Sequence, residues 1–261
     1  SANAVNDNSI NYVNWNWKGG TTSGIATNGD TDITPSSYSF NQTSGFSIIR
    51  YTGIGGQPIQ IPHGLGVQPK MFIIKRLNST GSWGVLPQQI STGHLYLDAV
   101  SALSTVNPLS GGVLADTVNF SVSNSGDVNA SGGTYVAYCF ADVQGFSKFG
   151  SYIGNGNANG TFVYTGFKPA LVIFKKTSGT GGWNMFDTKR DPFNVQDQIL
   201  RANANNAEAS DSGYSDNDFL SNGFKLRQTW GEMNGSGATY IYMAFAEAPL
   251  VGTNNVPANA R

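Results

Sequence analysis

Apolar and polar residues alternate along much of this chain with a period of two, the signature of half-buried strands. Val13, Trp15 and Trp17 alternate with Asn14 and Asn16. The same spacing puts Val136, Tyr138 and Phe140 on one strand face, and Ile241, Met243 and Phe245 on another. Two further runs, Met71-Phe72-Ile73-Ile74 and Leu171-Val172-Ile173-Phe174, are apolar throughout, as a strand covered on both faces requires. Turn formers separate the runs: Asn78-Ser79-Thr80-Gly81, Asn155-Gly156-Asn157-Ala158-Asn159-Gly160, and Ser178-Gly179-Thr180-Gly181-Gly182. Only residues 196–209 have a helix-tolerant composition. The pattern predicts an all-β chain of antiparallel, jelly-roll-like β-sandwiches with about seven strands each.

The runs recur. Gly66-Val67-Gln68-Pro69-Lys70-Met71-Phe72-Ile73-Ile74-Lys75 lines up without a gap on Gly166-Phe167-Lys168-Pro169-Ala170-Leu171-Val172-Ile173-Phe174-Lys175. Gly45-Phe46-Ser47 precedes the first block, and Gly145-Phe146-Ser147 precedes the second at the same offset. Thr134-Tyr135-Val136-Ala137-Tyr138-Cys139-Phe140 closes the first copy as Thr239-Tyr240-Ile241-Tyr242-Met243-Ala244-Phe245 closes the second. Ordered blocks at a fixed offset indicate an internal repeat. Four segments are expected: residues 1–18, the closing strand of an incomplete earlier copy; 19–44, a Gly-, Thr- and Ser-rich linker; 45–143, sandwich one; and 144–261, sandwich two with a Pro- and Asn-containing tail. Almost nothing separates the sandwiches, so a nearly rigid pair is expected. On this reading the chain is the C-terminal part of a longer array.

Composition narrows the chemistry. Charged residues are 12% of the 261, and the formal net charge is -1, so no pull toward nucleic acid or anionic membrane is visible. Solubility has to come from neutral polar groups, which 27 Asn and 33 Gly with abundant Ser and Thr supply. One cysteine, Cys139, excludes an intrachain disulfide. With His63 and His94 as the only histidines, no histidine-rich metal site is expected, and no cofactor. No apolar stretch is long enough to span a bilayer, and the polar first ten residues do not read as a signal peptide.

Single residues offer weak catalytic leads. Cys139 aligns with Ala244 and Asn16, which suits a packing residue. His63 aligns with Val163 and reads as a turn residue whose imidazole bonds the backbone; His94 has no evident counterpart and no assigned role. Gly53-Ile54-Gly55-Gly56 and Gly154-Asn155-Gly156 are followed by strands, so they read as hairpin turns and not as phosphate loops, which open helices. The acidic stretch from Asp211 to Asp218 lacks the closing Glu of a helix–loop–helix calcium site. Asp187, Arg190 and Asp191 read as a local ion-pair and turn cluster. Trp83 and Trp183 each follow a glycine turn; sugar stacking is one reading, but recurrence favours plugging of each sandwich's own core. The Asn-x-Ser/Thr triplets, including those at Asn129 and Asn234, are expected from composition alone. If a ligand is held, the exposed turns of the second copy are the expected place, with Asn155, Asn157, Asn159, Tyr214, Asp216 and Asn217 as candidate glycan contacts.

The blocks at residues 166–175, 134–141 and 240–247 resemble a repeat domain of unknown function widespread in tailed, especially marine, bacteriophages. The resemblance covers residues 10–18 and 45–261 and brings no catalytic residues. It implies a place on the virion surface; the expectation drawn from it is a tail fibre, spike, or head fibre and decoration, assembled in the host cytoplasm and serving assembly and host-glycan adhesion. It is expected not to be an enzyme. The expected partners are further copies of the chain, most simply a trimer, with other virion proteins and a host glycan. A polysaccharide-degrading tailspike and a bacterial surface adhesin are the alternatives.

Overall fold

The computed structural model describes residue 8 and residues 11–247 except 91, 113 and 211–213. Every element in it is a strand, and every strand pairing is antiparallel. The first half holds β1 (Ser37–Asn41), β2 (Phe46–Thr52), β3 (Ile59–Pro62), β4 (Met71–Arg76), β5 (Gly84–Pro87), β6 (Leu95–Tyr96), β7 (Asn119–Val122) and β8 (Thr134–Phe140). The second holds β9 (Ser147–Ile153), β10 (Phe162–Tyr164), β11 (Leu171–Lys176), β12 (Trp183–Asp187), β13 (Gln198–Arg201), β14 (Ala209–Ser210), β15 (Asn217–Leu220), β16 (Gly223–Leu226) and β17 (Thr239–Phe245). One six-stranded sheet runs β1-β2-β8-β4-β5-β6, and the other runs β9-β17-β11-β12-β13-β14. The order β2-β8-β4-β5-β6 in the first sheet therefore matches β9-β17-β11-β12-β13 in the second.

Alternation along these strands builds four layers. In the first sheet Ile49, Tyr51, Phe72, Ile74, Tyr135 and Ala137 face the small β3-β7 sheet, burying Ile61, Phe120 and Val122 against them. In the second, Val172, Phe174, Phe186, Tyr240 and Tyr242 face the β10-β16-β15 sheet in the same way. The residues in between point to the opposite face of each sheet, and there the two large sheets meet. Phe46, Met71, Val85 and Phe140 pack with Phe149, Leu171, Ile173, Trp183, Met243 and Phe245 in one shared core. The central strands β4 and β11 are thus covered on both faces, which is why they are apolar without interruption.

Several sequence expectations are corrected. Residues 11–18 form no strand; Trp15 and Trp17 lie against the shared core, while Asn14 and Asn16 are exposed. Trp17 meets Phe46, Phe140 and Phe245, with ring centroids 5.2 Å apart at Phe245, so two tryptophans close one end of the seam. Residues 19–44 are no linker. They include β1, and Ile33 is 5% exposed in the first core. Backbone bonds tie Thr21 to Phe40, and Asp32 and Ile33 to Gln60. Residues 196–209 hold β13 and the first residue of β14 in place of a helix. The offset is also not uniform: β2 and β9 pair with their neighbours so that Tyr51 corresponds to Tyr152, 101 residues on. The extra residue lies beyond Gly145, in the turn that enters β9. The C-terminal tail, residues 248–261, and most of residues 1–10 lie outside the described residues.

Candidate functional site

The candidate glycan contacts share one end of the β10-β16-β15 sheet. Leu226 on β16 stands opposite Asn217 on β15, and on its other side exchanges backbone bonds with Gly160 and Thr161. The loop of residues 155–160 and the start of β15 are thus neighbours. Their side chains are mostly committed. Asn155 Oδ1 accepts from Asn157 N and Asn234 Nδ2, its Nδ2 donates to Asn159 O, and Asn157 Oδ1 accepts from Asn159 N. These are turn-forming bonds. Asn217 is fully buried, with Nδ2 donating to Gln196 O and Ser215 O, so it cannot meet a ligand as expected. Tyr214 is exposed and Asp216 half-buried. Asp211, the start of the acidic stretch, lies outside the described residues. Among those described, no three His, Cys, Asp or Glu side chains converge as metal ligands.

What holds the 155–160 loop is an anchor present in both sandwiches. Asn234 is fully buried; Oδ1 accepts from Asn155 N, and Nδ2 donates to Asn157 O and Gln228 O. Asn129 repeats this, accepting from Ile54 N and donating to Gly56 O. Beside each stands a stacked tyrosine pair: Tyr51 on Tyr135 at 5.2 Å, Tyr152 on Tyr240 at 4.9 Å. Tyr51 Oη donates to Val128 O and Tyr152 Oη to Met233 O. Tyr135 Oη and Tyr240 Oη each donate to one loop carbonyl and accept one loop amide. Gly53 and Gly154 complete the anchor, since a Cβ there would lie 2.5 Å and 2.4 Å from a carbonyl oxygen of the anchored loop. The glycine strings are therefore seats for a crossing backbone. In the sequence, Asn129-Ala130-Ser131-Gly132 and Asn234-Gly235-Ser236-Gly237 carried this signal, but only their triplet pattern was visible.

The other leads resolve into packing. Cys139 is buried in the first core, and burial pushes its thiol up to about 12. His63 is fully buried: Nδ1 accepts from Leu65 N and Nε2 lies 3.3 Å from Asp116 O. Burial lowers its pKa to about 4, against the opposing pull of Asp116. Its structural counterpart is Thr165, not Val163, because Thr165 Oγ1 receives Phe167 N in the same turn. Asp187 is buried with Arg190, taking Arg190 Nε at 2.6 Å on Oδ2 and two backbone amides on Oδ1. Asp191 accepts Asp197 N. Trp183 is 1% exposed, but in the seam and not in its own sandwich's core; its Nε1 donates to Tyr96 O of the first half. Trp83 is half-buried and stacks on Tyr138.

A second tie crosses the seam. Lys75 and Lys175 occupy matching strands, and each donates to the carbonyl of its own turn glycine, Gly81 or Gly181. Lys175 goes further and donates to Val100 O and Ser101 O of the first half. Burial under that loop pulls its pKa down to about 8, against the nearby Glu232.

Fold and contacts together define an all-β protein of two sandwiches fused face to face through a common core. Residues 1–249 match the family described as Domain of unknown function (DUF7483), and the chain belongs to that family. The match runs through both sandwiches as one unit. No curated protein and no solved structure matches the chain.

Proposed function

We propose that this chain is a surface component of a tailed bacteriophage particle, a fibre, spike or head decoration, serving assembly and adhesion to a host glycan. The resemblance of its strand blocks to virion proteins is one support. The structural observation that carries the assembly half is an open side on the second sandwich. In the first sandwich, residues 20–41 close the side formed by β2 and β3: β1 pairs with β2, and Asp32 and Ile33 bond Gln60 of β3. Among the described residues nothing closes the same side of the second. A cleft of about 400 Å³ lies there between Asp142, Lys148 and Tyr164. Tyr164, which lines it, is 65% exposed, and Phe162, on the same face of β10, is 43% exposed; Ile153, at the other end of the open β9 edge, is 62% exposed. Large apolar groups left exposed along an unpaired edge mark an interaction surface. A homo-oligomer, a trimer in the simplest fibre, buries them and gives weak sugar contacts the avidity they need.

Light scattering behind size-exclusion chromatography tests the assembly half. The full chain is expected to run as an oligomer, and Tyr164→Glu with Ile153→Glu to convert it to monomer with an unchanged melting temperature. A wild-type monomer at micromolar concentration would remove this half. Immunogold labelling of phage particles with antibody to the chain tests the location; unlabelled particles would remove the virion reading.

A further inference from the structure

The two sandwiches differ at the strand that follows the Trp83 and Trp183 hairpins. Pairing of β5 with β6 and of β12 with β13 sets Leu95 opposite Val85, and Leu200 opposite Met185. His94 therefore corresponds to Ile199, and Tyr96 to Arg201. Ile199 is an ordinary core residue, 2% exposed in the second core. His94 is nearly as buried at 4%. Its Nδ1 is shut off from solvent without a hydrogen-bond partner, which leaves Nε2 as the ring nitrogen that can face the groove. Burial also lowers its pKa despite the Asp127 carboxylate nearby, so the ring is neutral and offers one donor and one acceptor. A buried polar group left unpaired costs stability, and the matching isoleucine shows that this strand position does not need one.

His94 lines an open groove of about 680 Å³ on the first sandwich. Tyr96 stands edge-on to His94, with centroids 5.1 Å apart, and also lines it. Ser104, Asn107, Ser123 and Asn124 supply hydroxyls and amides, while Pro108 and Leu109 supply apolar wall. No Asp, Glu, Lys or Arg is among the lining residues. Asn107 holds φ at 49°, a left-handed conformation uncommon outside glycine, in the loop that forms the rim. Strained rims and unpaired buried groups concentrate where ligands bind.

We propose that this groove binds an uncharged saccharide, one to three residues long, with the imidazole of His94 as its inner polar contact. The chemistry is matched on each count. Sugar hydroxyls pair with neutral amides, hydroxyls and a neutral imidazole, each serving as donor or acceptor. The C–H face of a hexose packs on Tyr96 and Pro108. The volume lies in the range of small-molecule sites. An acidic sugar would find no cation among the lining residues. The inference deepens the adhesion half of the proposed function and moves it to the first sandwich, away from the loops at residues 155–160 and 214–217.

The test is a printed array of neutral and acidic bacterial oligosaccharides probed with the full chain, followed by calorimetric titration of the strongest neutral binder. Two variants accompany it. His94→Ile installs the residue of the second sandwich, and Asn107→Gly keeps the backbone conformation while removing the amide. Wild type is expected to select neutral glycans. His94→Ile should weaken binding tenfold or more while its melting temperature stays level or rises, and Asn107→Gly should weaken it by a smaller factor. Binding confined to acidic glycans, or unchanged in His94→Ile, overturns the groove. Binding that survives His94→Ile but disappears when residues 155–160 are replaced also overturns it, and leaves adhesion through the second sandwich standing. Absence of any glycan binding removes groove and adhesion together, while oligomer state and particle labelling still decide the assembly reading.

Discussion

The first and second sandwiches share a strand order and an anchor, yet they finish the same edge by different means. In the first, β2 is sealed by a whole strand, β1, over five residue pairs. In the second, single side chains do the work on β9. Asp142 Oδ1 accepts Phe149 N, Asp142 pairs with Lys148, and Thr161 Oγ1 donates to Ile153 O. An edge guarded by a lysine pair and a few caps resists unplanned pairing but remains accessible. The difference shows that two sandwiches with the same order of central strands can carry unlike margins. The groove at His94, whose place in the second sandwich is taken by Ile199, is a second case.

This comparison can be broken at the anchor, where the halves should behave alike. Asn129→Ala removes two side-chain hydrogen bonds and Asn234→Ala four, and each should cost about 4 kcal/mol, from unpaired groups at ~1–3 apiece. Urea unfolding measures both, and a large cost in one with none in the other would show that the anchor serves only one half. At the edge the halves should differ. Arg50 lies on β2 opposite Ser37 of β1, and its match on β9 is Ser151, which faces the bare side. Arg50→Pro should cost about 3 kcal/mol by breaking a ladder bond, and Ser151→Pro less than about 1, as edge positions tolerate proline. Equal costs would mean that the β9 edge is covered.

The smallest effect separates His63 from Thr165. With its folded pKa lowered to about 4 from 6.5, His63 takes up its proton more readily in the unfolded chain. Its contribution is complete above pH 6.5 and declines as pH falls toward 4, by about 2 kcal/mol at pH 5. His63→Thr, the residue used by the second sandwich, should flatten that slope. Stability measured from pH 7 to 5 in both proteins checks the sign and the size.

Much of this architecture was legible because packing leaves a periodic trace. The uninterrupted apolar run of Leu171 to Phe174 announced a strand covered on both faces, and Ile241, Met243 and Phe245 announced one continuous stripe. What covered them was not legible, because a face buried on a neighbouring sheet and a face buried on its own sandwich have the same period. Recurrence with Trp83 therefore points Trp183 to its own sandwich's core, whereas it sits in the seam. The segment of residues 19–44 misled through composition. Glycine and threonine are common in linkers, but here Gly20 fits only because a Cβ would lie 2.5 Å from Phe40 O, in a place where backbones run close together. In the candidate site, the polarity that marks Asn217 as a contact is spent inside the protein. The match of His94 to Ile199 is carried by strand register and not by sequence, since β6 and β13 share little beyond a leucine.

The shared core has a consequence for modularity. A half expressed alone would present Phe46, Met71 and Phe140, or Ile173, Trp183 and Phe245, as a bare sheet face. It would also lose the bonds that Lys175 and Trp183 make across the seam. The heritable unit is therefore the pair. Insertions and exchanges that respect its outer loops can be accommodated, but a recombination point between residues 141 and 146 would separate two surfaces that have no other way to leave water.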